Sequence, residues 1–225
     1  KQTNGKITNI LSEENRGYVC ALANAIYMKA DWVNKFEKEG TYKETFTDIN
    51  GDESEIDFMH QAADFKYYEN GDTKAVKLPY ENGLSMVVVL GDTKNILNDI
   101  HNNKMTSKLV DVSLPKFKAE YSIDYVNILK NMGIEKAFDN QNADFSLMLE
   151  NYPERIKIDS VLQKAMIDVD EKGTEAAAAT VAVLTKSALS VDEEVIEFRA
   201  DKPFTYYILD DNGNVYFAGR YVKAE

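Results

Sequence analysis

The sequence predicts an α+β protein in which sheet outweighs helix. Three observations predict it: a series of short apolar runs bounded by turn residues, a chain that closes on an Asn-Gly hairpin, and little helical spacing. The runs fall at residues 19–28, 73–78, 84–90, 109–114, 155–158, 195–199, 204–209 and 215–222. The last two flank Asp210-Asp211-Asn212-Gly213-Asn214, where the Asn-Gly pair supplies the positive φ of a tight turn, so the chain is expected to end in an antiparallel hairpin. Helical spacing is confined to 96–109 and 124–132, the second stopped by Gly133. No internal repeat or Pro/Gly/Ser-rich linker divides the chain, which favours one continuous domain with helices packed around sheets.

Composition narrows the function classes. With 44% apolar and 11% aromatic residues over 225 positions, the chain can bury a substantial core. Its 38 acids against 26 bases give a net charge of −12, which opposes a nucleic-acid partner, because Lys and Arg must displace counterions from phosphates. The same charge opposes an anionic membrane surface, and no apolar run reaches the roughly eighteen residues of a membrane span. The single cysteine, Cys20, cannot form an internal disulfide and sits in the run Tyr18-Val19-Cys20-Ala21-Leu22, where it reads as small core filler. The chain opens on the polar Lys1-Gln2-Thr3-Asn4-Gly5 with no signal-peptide pattern, and reads like the middle of a protein.

Catalytic machinery is not legible. A Ser or Cys hydrolase ordinarily needs a histidine base, and the chain holds only His60 and His101. His101 lies in a polar run that reads as a solvated face, and His60, after Phe58-Met59, reads as a core or rim histidine. Two distant histidines and one cysteine do not supply a zinc site, and no Gly-rich phosphate loop is present. No metal and no cofactor is expected. One segment resists assignment: Ala176, Ala177, Ala178 and Ala179 are the best helix formers, and the residues after them prefer strands. A surface helix with a frayed end and a strand with small side chains on both faces both stay open.

Several motifs in fixed order carry a resemblance. Asn24-Ala25-Ile26-Tyr27-Met28-Lys29-Ala30-Asp31-Trp32, followed by Phe36, resembles the serpin signature in which a buried strand ends at a Trp. It is joined by Gly5-Lys6-Ile7, Leu78-Pro79-Tyr80, Leu84-Ser85-Met86, Leu114-Pro115-Lys116-Phe117, Gly133-Ile134, Ala143-Asp144-Phe145-Ser146, Glu171-Lys172-Gly173-Thr174-Glu175-Ala176-Ala177, Pro203-Phe204 and Phe217-Ala218-Gly219-Arg220. The resemblance covers the whole chain but only about the C-terminal three-fifths of a serpin, a single domain with a large central sheet, two further sheets and helices around them. Residues 1–225 are therefore expected to need an N-terminal helical part in order to fold.

The resemblance implies a suicide-type protease inhibitor with a reactive-centre loop at about residues 171–197. Gly173, Thr174, Glu175, Ala176, Ala177, Ala178, Ala179 and Thr180 match the hinge, which inserts into the large sheet once the loop is cut. Alternation along a strand would set Thr174, Ala176, Ala178, Thr180 and Ala182 on one face and Glu175 with its alternates on the other, so the inward set is small. Family spacing sets the scissile bond at Ser187-Ala188, with cuts after Lys186, Ala188 or Leu189 as alternatives. Trp32 with the Lys116–Glu171 ion pair matches the top of the large sheet. Asn24 matches its centre, where Gln163 stands in place of the family's usual histidine.

The expected partner is a serine protease, elastase-like or subtilisin-like for a bond after Ser or Ala, trypsin-like for a bond after Lys186. The alternative is a non-inhibitory serpin acting as carrier or chaperone, whose hinge tends to carry bulky or charged residues or Pro. An extracellular or cell-surface location is expected of an inhibitor facing foreign proteases, and richness in Asn, Lys and Asp suggests a bacterial source.

Overall fold

The computed structural model describes residues 10–11, 17–148, 156–174 and 195–224. In chain order the strands are β1 (Ala21–Tyr27), β2 (Ala30–Asp31), β3 (Thr41–Thr47), β4 (Glu53–Asn70), β5 (Thr73–Pro79), β6 (Ser85–Leu90), β7 (Thr106–Pro115), β8 (Phe117–Asp124), β9 (Ser160–Asp170), β10 (Gly173–Thr174), β11 (Ile196–Arg199), β12 (Phe204–Leu209) and β13 (Val215–Tyr221). Two short helices, α1 (Ile96–His101) and α2 (Val126–Asn131), interrupt them. The chain forms two compact units, one of residues 1–28 and 119–167, the other of residues 29–118 and 168–225.

The larger unit is built on a sheet of order β11-β7-β4-β5-β6-β12-β13, with β3 also paired to β4. Strand β4 spans 18 residues because it changes partners along its length. It pairs with β3 through Met59, with β7 from Phe58 to Tyr67, and with β5 from Lys66 to Asn70. Its apolar side chains follow those changes, so Phe58, Met59, Phe65 and Tyr67 are buried. Val87, Val88 and Val89 of β6 are fully buried, as a central strand covered on both faces requires. Phe117 packs against Phe204, Tyr206 and Tyr221, with ring centroids 5.1–5.7 Å apart.

Two sequence expectations change here. The helix expected at 96–109 stops at His101, because Asn103 takes a left-handed φ of 55° and closes the helix, and the residues from Thr106 onward enter β7. The closing hairpin forms, but Gly213 alone supplies the positive φ, at 84°. The Asp210 carboxylate builds the rest of the turn by accepting the backbone N–H groups of Asn212 and Asn214, each at 2.9 Å.

In the smaller unit β1 and β9 pair in parallel, from Ala21 opposite Ser160 to Tyr27 opposite Met166, and β8 also pairs with β9. Strand structure begins at Ser160; residues 156–158, expected as a strand, are outside any ladder. The Asp159 carboxylate accepts the N–H groups of Val19 and Cys20, and that of Asp124 accepts the Ser160 hydroxyl and the Val161 N–H. Cys20 is partly exposed rather than core filler, since the start of β1 is open. Helix α2 ends as expected on Gly133, with φ 92°. Large apolar side chains stay uncovered on this unit: Leu22, Met132 and Leu147 are 48%, 73% and 102% exposed.

Candidate functional site

The site is built where β9 ends. The Asp170 carboxylate accepts the N–H groups of Lys172 (2.9 Å) and Gly173 (3.2 Å), which folds the chain back on itself within two residues. Gly173 and Thr174 then form β10, lying between two partners and antiparallel to both. Gly173 faces Asp170 on one side and Asp31 on the other, and Thr174 faces Val169 and Ala30.

Only glycine fits the first position. Gly173 has φ 150°, and a Cβ there would stand 2.1 Å from the Ala30 carbonyl oxygen, 2.6 Å from Asp31 Cα and 2.9 Å from the Trp32 nitrogen. Thr174 is fully buried, and its Oγ1 lies 2.9 Å from the Tyr80 hydroxyl. Burial pushes the Tyr80 phenol well above its ordinary value, so it stays a neutral hydroxyl.

Trp32 holds the turn from the other side. It is 1% exposed and stacks on Tyr80 at 4.2 Å, with the planes 11° apart. Its indole N–H donates to the Asp170 carbonyl (2.9 Å) and its backbone N–H to the Lys172 carbonyl (2.8 Å), while Phe36 N–H donates to the Glu171 carbonyl (2.9 Å). Each carbonyl of residues 170–172 is thereby accounted for.

Lys116 Nζ sits 3.0 Å from Glu171 Oε1. Burial opposes the Glu171 charge, but its own backbone N–H and Lys116 outweigh that and hold the carboxyl below its ordinary value. A carboxyl depressed in the folded state adds stability that is present above the unfolded value and lost as pH falls through the folded one. Unfolding midpoints in urea should therefore hold from pH 7 to about 5 and drop below about pH 4, where Glu gains its proton. Lys116→Ala should flatten that acid limb. At pH 7 it should cost under about 1 kcal/mol, because the lysine is partly exposed. An unchanged acid limb in the variant would mean that the Lys116–Glu171 pair does not contribute to acid stability.

Of the residues singled out from sequence, Trp32, Lys116, Glu171, Gly173 and Thr174 come together in the larger unit. Asn24 and Gln163 are partners in the β1–β9 ladder of the smaller one. Glu175, Ala176, Ala177, Ala178, Ala179, Thr180, Lys186, Ser187, Ala188 and Leu189 lie outside the described residues. Tyr80 was not singled out; its signal was the motif Leu78-Pro79-Tyr80, but its partners become clear only in space.

The two histidines do not build a catalytic triad. His60 Nδ1 bonds the Gly40 carbonyl at 2.9 Å, while Ser113 Oγ (3.0 Å) and Glu44 Oε1 (3.2 Å) both meet the same nitrogen, Nε2. A triad needs its acid and its serine on opposite ring nitrogens, and Ser113 is only 3% exposed. His101 is exposed at the end of α1. Among the described residues no three His, Cys, Asp or Glu side chains gather as a metal site would require, and no helix is long and apolar enough to cross a membrane.

Comparison with known proteins agrees with this architecture. Residues 1–224 match the family described as serpin (serine protease inhibitor). The chain is 37% identical to a serpin-like protein of the archaeon Thermococcus kodakarensis, over 98% of this chain and 53% of that protein. It is 33% identical to serine proteinase inhibitor 2 of cowpox virus, over 97% of this chain and 67% of the relative. A thermophilic serpin, tengpin, solved in the native state, superposes with a TM-score of 0.84 at 30% identity, over 99% of this chain and 60% of that one. The chain belongs to the serpin family and has the serpin fold, spanning about half of the archaeal relative's length and two thirds of the viral one's. Serpins in general inhibit proteases rather than catalyse reactions.

Proposed function

We propose that this chain is the C-terminal part of an inhibitory serpin, a suicide substrate for a serine protease, with a reactive-centre loop at about residues 171–197. The observation that carries the reading is the seat of Gly173 and Thr174: the residues that open the loop are already a strand, antiparallel to β9. Carried forward residue for residue in an inserted strand, their register would set Ala177 against Met166 and Thr180 against Gln163. Today β1 occupies that side of β9 as a parallel neighbour. A strand entering between them would be antiparallel to both, replacing one parallel ladder with two antiparallel ones.

The composition suits that entry. Thr174 is fully buried, so in an inserted strand Ala176, Ala178, Thr180 and Ala182 would take the inward face and Glu175 the outward one. Each ladder hydrogen bond contributes about 0.5–1.5 kcal/mol net, so ten or so release on the order of 10 kcal/mol. About fourteen residues at 3.3 Å each span roughly 46 Å, enough to drag an acylated protease across a domain of this size and distort it. The small hinge disfavours the non-inhibitory reading.

An N-terminal part of the same serpin completes the domain and covers apolar surface such as Leu22 and Met132. Secretion or display on a bacterial cell surface, where foreign proteases are met, fits that role. The test is to mix the full-length protein with pancreatic elastase, subtilisin and trypsin, run denaturing gels, and sequence the released C-terminal peptide. A heat- and SDS-stable complex with a new N-terminus at Ala188 is expected; cutting by all three with no complex would overturn the inhibitor reading.

A further inference from the structure

The contact between Tyr80 and Thr174 does more than fill space. Both residues are buried, at 2% and 0% exposure, and each hydroxyl has the other as a partner 2.9 Å away. Tyr80 is itself fixed: it stacks on Trp32, forms a bridge with it, and donates its backbone N–H to the Leu84 carbonyl at 2.8 Å. Thr174 stands at the end of the described part of the loop's first strand, two residues in length, and its hydroxyl adds a side-chain tie to the ladder pairings with β2 and β9.

We propose that Tyr80 is a positioning residue whose hydroxyl latches Thr174 in the sheet, so that insertion starts from a seated strand instead of a free one. The proposal rests on the inhibitor reading above. After the loop is cut, two events compete: insertion, which traps the protease, and hydrolysis of the acyl bond, which releases it. A strand whose first residues are already paired skips the costly nucleating step, and the latch therefore favours trapping. It has no part in recognising the protease, because Tyr80 is buried.

Three variants of the full-length protein separate this from a general loss of structure. Tyr80→Phe and Thr174→Val each strand one buried hydroxyl, and each should raise the number of inhibitor molecules consumed per protease trapped about tenfold. The rate at which the protease attacks the loop should not change. The double variant removes both hydroxyls, leaves no unpaired group, and should recover efficiency over either single variant. Trapping as efficient in both single variants as in the unaltered protein, or a double variant whose loss is the sum of the two single losses, overturns the latch.

Hydrogen exchange of the amides at residues 172–174, measured without protease, gives a second reading. It should be about tenfold faster in Tyr80→Phe, and unchanged exchange also overturns the latch. If the unaltered protein is cut without trapping any protease, the inhibitor reading fails by itself and the exchange result decides the contact alone.

Discussion

If the chain inhibits as proposed, replacing Gly173 by valine should leave the loop cleavable and lower trapping about a hundredfold. The added Cβ would stand 2.1 Å from a backbone carbonyl oxygen and 2.6 Å from a Cα, contacts that no side-chain rotation relieves. The residue would also have to hold φ 150°, which costs a non-glycine residue about 1–3 kcal/mol. Relief requires β10 to leave β2, with loss of the pairings Gly173–Asp31 and Thr174–Ala30. At about 0.5–1.5 kcal/mol for each ladder bond, strain and lost pairing together reach roughly 3 kcal/mol or more, about a hundredfold against insertion. Denaturing gels separate the covalent complex from the cleaved chain and measure the ratio directly. Trapping within about threefold of the unaltered protein would mean that the Gly173 seat is not where insertion begins.

Trp32→Ala should cost about 3–5 kcal/mol of stability, the range for emptying a large buried aromatic site. The site cannot collapse easily. Trp32 lies between Tyr80, stacked on it, and Phe36, edge-on at 6.2 Å, and its indole N–H satisfies the Asp170 carbonyl. Trp32→Phe keeps much of the packing and deletes only that donor, so it should cost less, about 1–2 kcal/mol. Urea unfolding followed by circular dichroism gives both values. A loss below about 1 kcal/mol for Trp32→Ala would show that the turn at residues 170–172 is held by something else.

Much of the larger sheet was legible because its strands are buried runs: 84–90 and 204–209 reappear as β6 and β12 with their boundaries shifted by at most one residue. What escaped was strand with mixed polarity. β4 is interrupted by Asp57, His60, Gln61, Asp64 and Lys66, and it satisfies three partners in turn, so no single face shows a clean alternation. In β8, Phe117, Ala119, Tyr121 and Ile123 do alternate, but the charges between them hid the pattern. The α1 error had a local cause, since a left-handed Asn103 is a weaker stop signal than glycine.

The site divides the same way. That Gly173 had to be glycine could be suspected, but the reason lies 142 positions away, in the backbone of Asp31. Lys116 and Glu171, 55 residues apart, were paired through family resemblance, because no local spacing joins them. Tyr80 and Thr174 are 94 residues apart, and neither is charged, so their sequence carried no sign of the contact.

If the strand begun at Gly173 continues into the sheet once the loop is cut, the cut protein gains a ladder that the intact one lacks, and thermal unfolding before and after a single cut reads that gain. The full-length protein is nicked near Ser187-Ala188 by a protease that is then removed, and the nicked and intact forms are melted side by side. With on the order of 10 kcal/mol released by ten or so new ladder bonds, the nicked form should melt tens of degrees higher than the intact one. A nicked form that melts at the same temperature, or lower, would contradict insertion and with it the trapping mechanism.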